Sequence, residues 1–147
     1  MHSQGFIHNA VTFSNIFVVD QRSYTASQNY RVRLGGFSRV TRILGGEAPR
    51  AAFGTKNNKV FQSPEVLAGA LPTPAADVYS LGVILYTLAC GAIPKHESNF
   101  DQTGALIWDE RALSPQFKDM VGSMLNLNRA ARPKAARLLS HPWFNSN

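Results

Sequence analysis

The sequence predicts a mainly α fold, in which a small β-hairpin near the N-terminus precedes a helical region. Two helical segments support this prediction: one runs from Thr73-Pro74 to Gly91, and the other starts at Ser114-Pro115. Two short β-type segments occur within residues 1–34. A chain of 147 residues, 44% of them hydrophobic, is typical of one globular domain.

The hairpin is predicted from two segments, residues 15–20 and 31–34. Asn15-Ile-Phe-Val-Val-Asp20 is short and apolar, which is typical of a buried strand. Arg31-Val-Arg-Leu34 alternates, which makes it the predicted partner strand, with Val32 and Leu34 facing inward. Residues 39–62 show no sustained periodicity and are rich in Gly, Lys and Asn, so we expect a long, mobile loop there.

The central helix is predicted from its end signals. Thr73 is a cap residue followed by proline at the first helical position, and Gly91 is typical of a helix terminator. The segment between them is apolar on nearly every face, so we expect it to be covered on nearly every face.

Two further helices are predicted. The helix after Ser114-Pro115 carries an amphipathic stripe, formed by Phe117, Met120, Val121, Met124 and Leu125. A third helix begins near Pro133, and its predicted inward residues are Ala135, Leu138 and Leu139.

Composition excludes several classes of protein. The apolar content excludes a disordered chain, and the single Cys90 excludes a disulfide scaffold. The uncharged apolar run from Val78 to Pro94 is shorter than a membrane span, and the first residues lack the basic start and apolar core of a secretory signal. We therefore expect a cytoplasmic protein that does not contact a membrane.

The net charge of +6 is unevenly distributed. Residues 1–60 hold eight of the 15 basic residues but only two of the nine acidic ones. Such a bias can attract nucleic acid, anionic lipid or an acidic protein surface, or it can mark a solvated edge. Because no aromatic residues are interleaved with these arginines in a nucleic-acid module, we favour the solvated edge and do not expect nucleic acid as a partner.

Four parts of the chain, in order, resemble eukaryotic Ser/Thr protein kinases. Gly5–Ile16 resembles the catalytic loop, Ser63–Glu65 resembles the Ala-Pro-Glu motif, and Asp77–Tyr86 resembles the start of the central C-lobe helix. Arg132-Pro133 with Leu138–Phe144 is similar to the C-terminal end of calcium/calmodulin-kinase-like members. The resemblance implies a kinase-like C-lobe.

The resemblance also implies a division of the chain. Residues 1–147 form a partial kinase-like domain: 1–34 hold the catalytic-loop and hairpin region, 35–65 an activation-segment-like loop, and 66–147 a helical subdomain. No glycine-rich phosphate loop and no Val-Ala-Ile-Lys motif occur in these residues. We therefore expect a truncated domain without an N-lobe.

The positions that carry the family's chemistry are changed. The resemblance places the catalytic Asp at Ala10, the Lys two positions later at Thr12, and the metal-binding Asp at Leu34. Alanine accepts no proton, and leucine offers no oxygen to Mg²⁺. Asn15 and Phe17 are then only vestigial nucleotide-site positions. We expect no catalytic residues, no metal and no cofactor.

Four other residues match structural positions of the family. The resemblance implies that Asp77 holds the backbone of the catalytic loop and that His8 packs behind it. It also implies that Glu65 and Arg132 form a buried ion pair. Each residue has a simpler alternative: a helix N-terminal acid, a core imidazole, or a surface charge.

These observations favour a catalytically inactive kinase-like fragment, a pseudokinase that acts as a protein-binding scaffold or regulator. We expect a protein partner or self-association through an apolar flank of the central helix, formed by some of Val78, Leu81, Leu85 and Leu88. The alternatives are a degenerate Ser/Thr kinase with residual ATP binding or phosphotransfer, and the lower half of a longer kinase chain. Phosphorylation of Ser38 or Thr55 stays open.

Overall fold

The computed structural model describes residues 1–19, 31–43, 56–108 and 112–145. Its helices are α1 (Pro64–Leu67), α2 (Pro74–Cys90), α3 (His96–Asn99), α4 (Pro115–Met124) and α5 (Ala135–Leu138). Its strands are β1 (Phe6–Ile7), β2 (Ile16–Val19), β3 (Arg31–Leu34) and β4 (Thr41–Arg42), paired antiparallel as β1 with β4 and β2 with β3. The predicted mainly α fold is confirmed. None of the described helices is long and apolar enough to cross a membrane.

Helix α2 has the bounds that its end signals predict. Thr73 is the N-cap and Pro74 is the first helical residue. An N–H at this position would have no partner within the helix, so proline, which lacks it, fits here. Gly91 ends the helix in the left-handed conformation with φ 72°, and its N–H donates to the Thr87 carbonyl at 2.8 Å. This conformation favours glycine because a Cβ atom would clash.

The core lies between α2 and α4. Val83 and Tyr86 of α2 are buried against the predicted stripe of α4, of which Met120, Val121, Met124 and Leu125 are buried. Gly82 allows the close approach, since a Cβ atom there would lie 3.0 Å from Met124 Cβ and from Leu125 Cγ. The N-cap of α4 is also as predicted: the Ser114 hydroxyl accepts a hydrogen bond from the Phe117 N–H.

One flank of α2 is only partly covered. Val78, one of the four candidates for an exposed flank, is buried. Leu81 and Leu85 are half-buried, and Leu88 is 69% exposed. The expectation that α2 is covered on nearly every face is therefore confirmed, and this flank, with Leu88, is the exception.

The hairpin has the predicted pairing but not the predicted burial. The paired strands place Val18 opposite Val32 and Ile16 opposite Leu34. Val32 is 63% exposed and Leu34 is also exposed, so the prediction that both face inward is wrong, as is the prediction of a buried first strand. Alternation shows that one face is apolar, and it does not show that another element covers that face.

The third predicted helix is a single turn. Leu138 is buried as predicted, whereas Ala135 is exposed and Leu139 is 76% exposed, which contradicts their predicted inward positions. Leu139 keeps the helical backbone conformation and lies four residues after Ala135, so the two share one face of the turn, and that face is exposed.

Residues 39–62 are more regular than the predicted loop. Thr41–Arg42 pairs with β1, and Lys56–Phe61 forms a 3₁₀ helix. The pairing of β4 with β1 joins segments distant in the sequence, which a local periodicity cannot report. Residues 44–55, including Thr55, lie outside the described residues.

Glu65 and Arg132 form the hydrogen-bonded ion pair that the family resemblance implies. Arg132 Nη1 lies 2.6 Å from Glu65 Oε1, and Arg132 Nη2 lies 2.7 Å from Glu65 Oε2. The same guanidinium donates to the carbonyls of Ala75 and Asn126 and lies 4.8 Å from the ring centroid of Tyr79. Arg132 is fully buried, and one side chain thereby joins α1, α2 and the segment after α4.

We expect Glu65→Ala to lower the free energy of unfolding by about 3–5 kcal/mol, because it leaves the Arg132 charge buried without its partner. Asp119→Ala is the matched control, since the Asp119 side chain is 79% exposed in its contact with His141. Its expected effect is below about 1 kcal/mol. Urea unfolding measures both variants, and equal midpoints would contradict the prediction.

The ion pair also predicts a pH dependence. Burial acts to raise the pKa of Glu65, but the hydrogen bonds and charge of Arg132 outweigh it, so the pKa lies below its ordinary value of 4.5. A carboxyl with a lowered pKa stabilises the fold above its unfolded pKa, and this contribution is lost as the pH falls through the lower folded value. We expect the stability difference between the wild type and Glu65→Gln to be constant near neutral pH and to shrink below pH 4.5. A difference that grows on acidification would be the contrary result.

Candidate functional site

The candidate site is built around the carboxylate of Asp77, in the first turn of α2. Asp77 Oδ2 accepts a hydrogen bond from the His8 backbone N–H at 2.7 Å, and Asp77 Oδ1 accepts one from the Asn9 N–H at 2.8 Å. His2 Nε2 lies 2.8 Å from Asp77 Oδ2. The buried carboxylate therefore fixes the segment that resembles a catalytic loop to the central helix.

The imidazole of His8 joins this segment to the end of β3. His8 Nδ1 accepts a hydrogen bond from the Ala10 N–H at 3.2 Å, and His8 Nε2 lies 2.9 Å from the Gly35 carbonyl oxygen. Because a carbonyl only accepts, Nε2 carries the proton, and the ring is neutral with Nδ1 unprotonated. Phe37 packs edge-on against the buried ring with 5.3 Å between centroids. His8 thus fixes the separation between residues 10 and 35.

Asn9 makes a second connection across the site. Its backbone has the left-handed φ of 60°, which asparagine tolerates better than most residues. The Asn9 side-chain amide donates to the Arg39 carbonyl at 3.0 Å and to Thr41 Oγ1 at 2.8 Å. These bonds fix residues 39–41 against the loop without any charged group.

Asn15 holds the loop from the other side. The Asn15 side-chain nitrogen donates to the Ala10 carbonyl at 2.8 Å, and the Asn15 backbone carbonyl accepts from the Gly35 N–H at 2.8 Å. A Cβ atom at Gly36 would overlap the Asn15 side chain, and Gly36 has φ 73°. Glycine at position 36 is therefore required by both space and backbone conformation.

The Phe17 ring lies over Gly35, the residue before Gly36. A Cβ atom at Gly35 would lie 2.7 Å from Phe17 Cε2, so the aromatic ring occupies the space that a larger residue at 35 would need. Phe17 is nevertheless 53% exposed. The ring forms an exposed apolar surface beside Asn15.

The side chains gathered here do not fit Mg²⁺. Ala10 is buried, Leu34 provides only carbon atoms, and Thr12 Oγ1 is hydrogen-bonded to Ser14 Oγ at 2.9 Å. The carboxylate of Asp77 already contacts three nitrogen atoms. No three His, Cys, Asp or Glu side chains of the described residues are close enough together to hold a metal ion. With one amide, Asn15, as the remaining oxygen ligand, the donor set is unsuited to a hard divalent cation.

The structure brings most of the predicted site residues together. Ala10, Thr12, Asn15, Phe17 and Leu34 lie on connected segments around His8 and Asp77. Glu65 and Arg132 form a separate pair that joins helical segments. Their assignment as vacant catalytic or structural positions stays a prediction.

Sequence reasoning missed two contacts of this site. The His2 imidazole contacts Asp77, and the Asn9 side chain ties residue 41 to the loop. No spacing in the sequence indicates either contact, because each depends on which distant segments meet. Ser38 is exposed in a 3₁₀ turn, Phe37–Arg39.

Comparison with known proteins gives consistent matches. A family model described as protein kinase domain matches residues 1–144. Over 98% of its length the chain is 30% identical to probable serine/threonine-protein kinase PLK of Dictyostelium discoideum and 31% identical to ribosomal protein S6 kinase alpha-2 of Mus musculus. It is 28% identical over its whole length to serine/threonine-protein kinase DCLK2 of Mus musculus. The chain spans only 14% of the first relative and 20% of the other two. It belongs to the eukaryotic Ser/Thr protein kinase family.

Proposed function

We propose that this chain is a catalytically inactive kinase-family module that acts in the cytoplasm by binding another protein. The observation that carries the proposal is the donor set around Asn15. The two positions at which the family places carboxylates hold Ala10 and Leu34, and phosphoryl transfer depends on such groups to bind metal ions and orient the nucleophile.

The contacts of Asp77 and His8 support a kinase-like scaffold that does not depend on that chemistry. Both residues contact backbone groups of the loop, so they hold it whether or not residue 10 is an acid. A kinase-like framework with no reactive carboxylate in its loop is suited to presenting a surface to a partner.

A second candidate is a degenerate kinase, or the lower half of a longer kinase chain, with residual nucleotide binding. The relatives are named as kinases, and the chain spans a fifth or less of their lengths. Asn15 retains the amide at a family ligand position, beside the exposed ring of Phe17. Titration of ATP with and without Mg²⁺ separates the two candidates, because residual binding of the kinase type depends on the metal.

We expect the purified chain to transfer no phosphate from Mg²⁺-ATP to itself or to generic Ser/Thr substrates. An active kinase of the family is the positive control in the same radiolabel assay. The double variant Ala10→Asp with Leu34→Asp is also expected to remain inactive, because these 147 residues include no glycine-rich loop and no Val-Ala-Ile-Lys motif to position the phosphates.

Metal-dependent phosphorylation by the wild-type chain would overturn this proposal. Asn15→Ala distinguishes such activity from a contaminating kinase, because only activity that belongs to this chain would change with that substitution.

A further inference from the structure

Strand β3 has an open outer edge, since among the described strands it pairs with β2 alone. The Gly35 N–H donates to the Asn15 carbonyl, one position beyond the last strand pair. In an antiparallel ladder, hydrogen-bonded pairs alternate with pairs that are not hydrogen-bonded. The alternation, counted from that bond in the observed register, directs the backbone groups of Val32 and Leu34 away from β2. The outer edge therefore offers their N–H and C=O groups to a further strand.

The two faces of β3 differ in their chemistry. All four of its side chains are exposed. Arg31 and Arg33 lie on one face, with about 7 Å between the Cα atoms of alternate residues. Val32 and Leu34 lie on the other face and line an open apolar cavity of about 580 Å³ beside α2. Neither arginine forms an ion pair with any of the described residues.

This combination of features restricts what the outer edge can bind. A strand added beside β3 has the same two-residue alternation, so every second side chain lies on the arginine face and the others lie on the apolar face. Acidic residues would pair with the two arginines, and apolar residues would contact Val32 and Leu34. A helix cannot use the N–H and C=O groups of the edge, because its own backbone groups are already paired. The edge is therefore suited to an extended segment.

We propose that the outer edge of β3 binds an extended segment of another protein, in which acidic and apolar residues alternate. The segment pairs with β3 as the third strand of the hairpin sheet. This inference deepens the proposed binding function and rests on it. A second copy of the chain is a poorer occupant, because pairing two β3 edges brings arginines of like charge onto one face.

A labelled peptide tests the proposal. The probe has about ten residues, enough to cover the strand, with glutamate and valine in alternation. The control peptide has the same composition, with its glutamates grouped at one end. Because both peptides carry the same charge, a difference between them reports the alternation and not the net attraction. Fluorescence anisotropy is expected to show at least about ten-fold tighter binding of the alternating peptide.

Amide hydrogen exchange shows whether the backbone of β3 takes part. The Val32 and Leu34 amides are expected to exchange at least about ten-fold more slowly when the alternating peptide is bound, because their N–H groups become hydrogen-bonded. The Gly35 N–H is the internal control, since it already donates to Asn15 and is expected to change less. Binding through side chains alone would leave the two edge amides unchanged.

Variants of the chain test the charge selection. Arg33→Glu is expected to weaken binding of the alternating peptide by about ten-fold or more. Arg129→Glu is the matched control, because it makes the same change of charge at an exposed residue of the 3₁₀ turn Arg129–Ala131. The double variant Arg31→Glu with Arg33→Glu is expected to prefer a peptide with lysine in place of glutamate. Circular dichroism checks that each variant is folded.

Four results would overturn the proposal. They are the absence of measurable binding by the alternating peptide, equal binding of the alternating and grouped peptides, and unchanged exchange of the Val32 and Leu34 amides in the complex. The fourth is self-association of the wild type that the alternating peptide displaces, which would assign the edge to a second copy. Failure of the inactive-kinase proposal appears separately, as phosphate transfer in the radiolabel assay.

Discussion

The N-terminal half of the structure depends on the carboxylate of Asp77. It is buried in the first turn of α2 and accepts hydrogen bonds from two consecutive backbone amides, those of His8 and Asn9. A hydrogen bond to a charged group contributes about 1.5–3 kcal/mol, and a carboxylate in the first turn of a helix is favoured by the helix dipole. His8 in turn contacts Gly35, and Asn9 contacts residues 39–41. One side chain thus positions segments that are far apart in the sequence.

The groups that hold the loop are different from the groups that would react. Asp77 binds backbone N–H groups, and Asn15 binds the carbonyl of residue 10, so neither contact requires a particular side chain at that position. Ala10 and Leu34, the positions at which the resemblance places the family's carboxylates, contribute no side-chain group to these hydrogen bonds. For this reason a chain can keep the architecture of a kinase family without its reaction.

Local signals determine which parts of the fold could be predicted. The bounds of α2 follow from Thr73 and Gly91, and the start of α4 follows from the Ser114 cap, because capping depends on neighbouring residues alone. The pair of Glu65 with Arg132 was expected only through the family resemblance. No pattern in the sequence indicates the contacts of His2 and Asn9, because hydrogen bonds between distant segments depend on the completed fold.

The prediction that the hairpin is buried is wrong for the same reason, because burial depends on contacts between distant segments. The alternation in β3 gives Val32 and Leu34 a common face, and the pairing with β2 confirms that face, but neither fact supplies a covering element. Both residues line an open apolar cavity together with Leu81 and Leu85 of α2, and both remain exposed in it. Burial of a strand face depends on which element packs against it, and that element is set by the tertiary fold, not by the period of the strand.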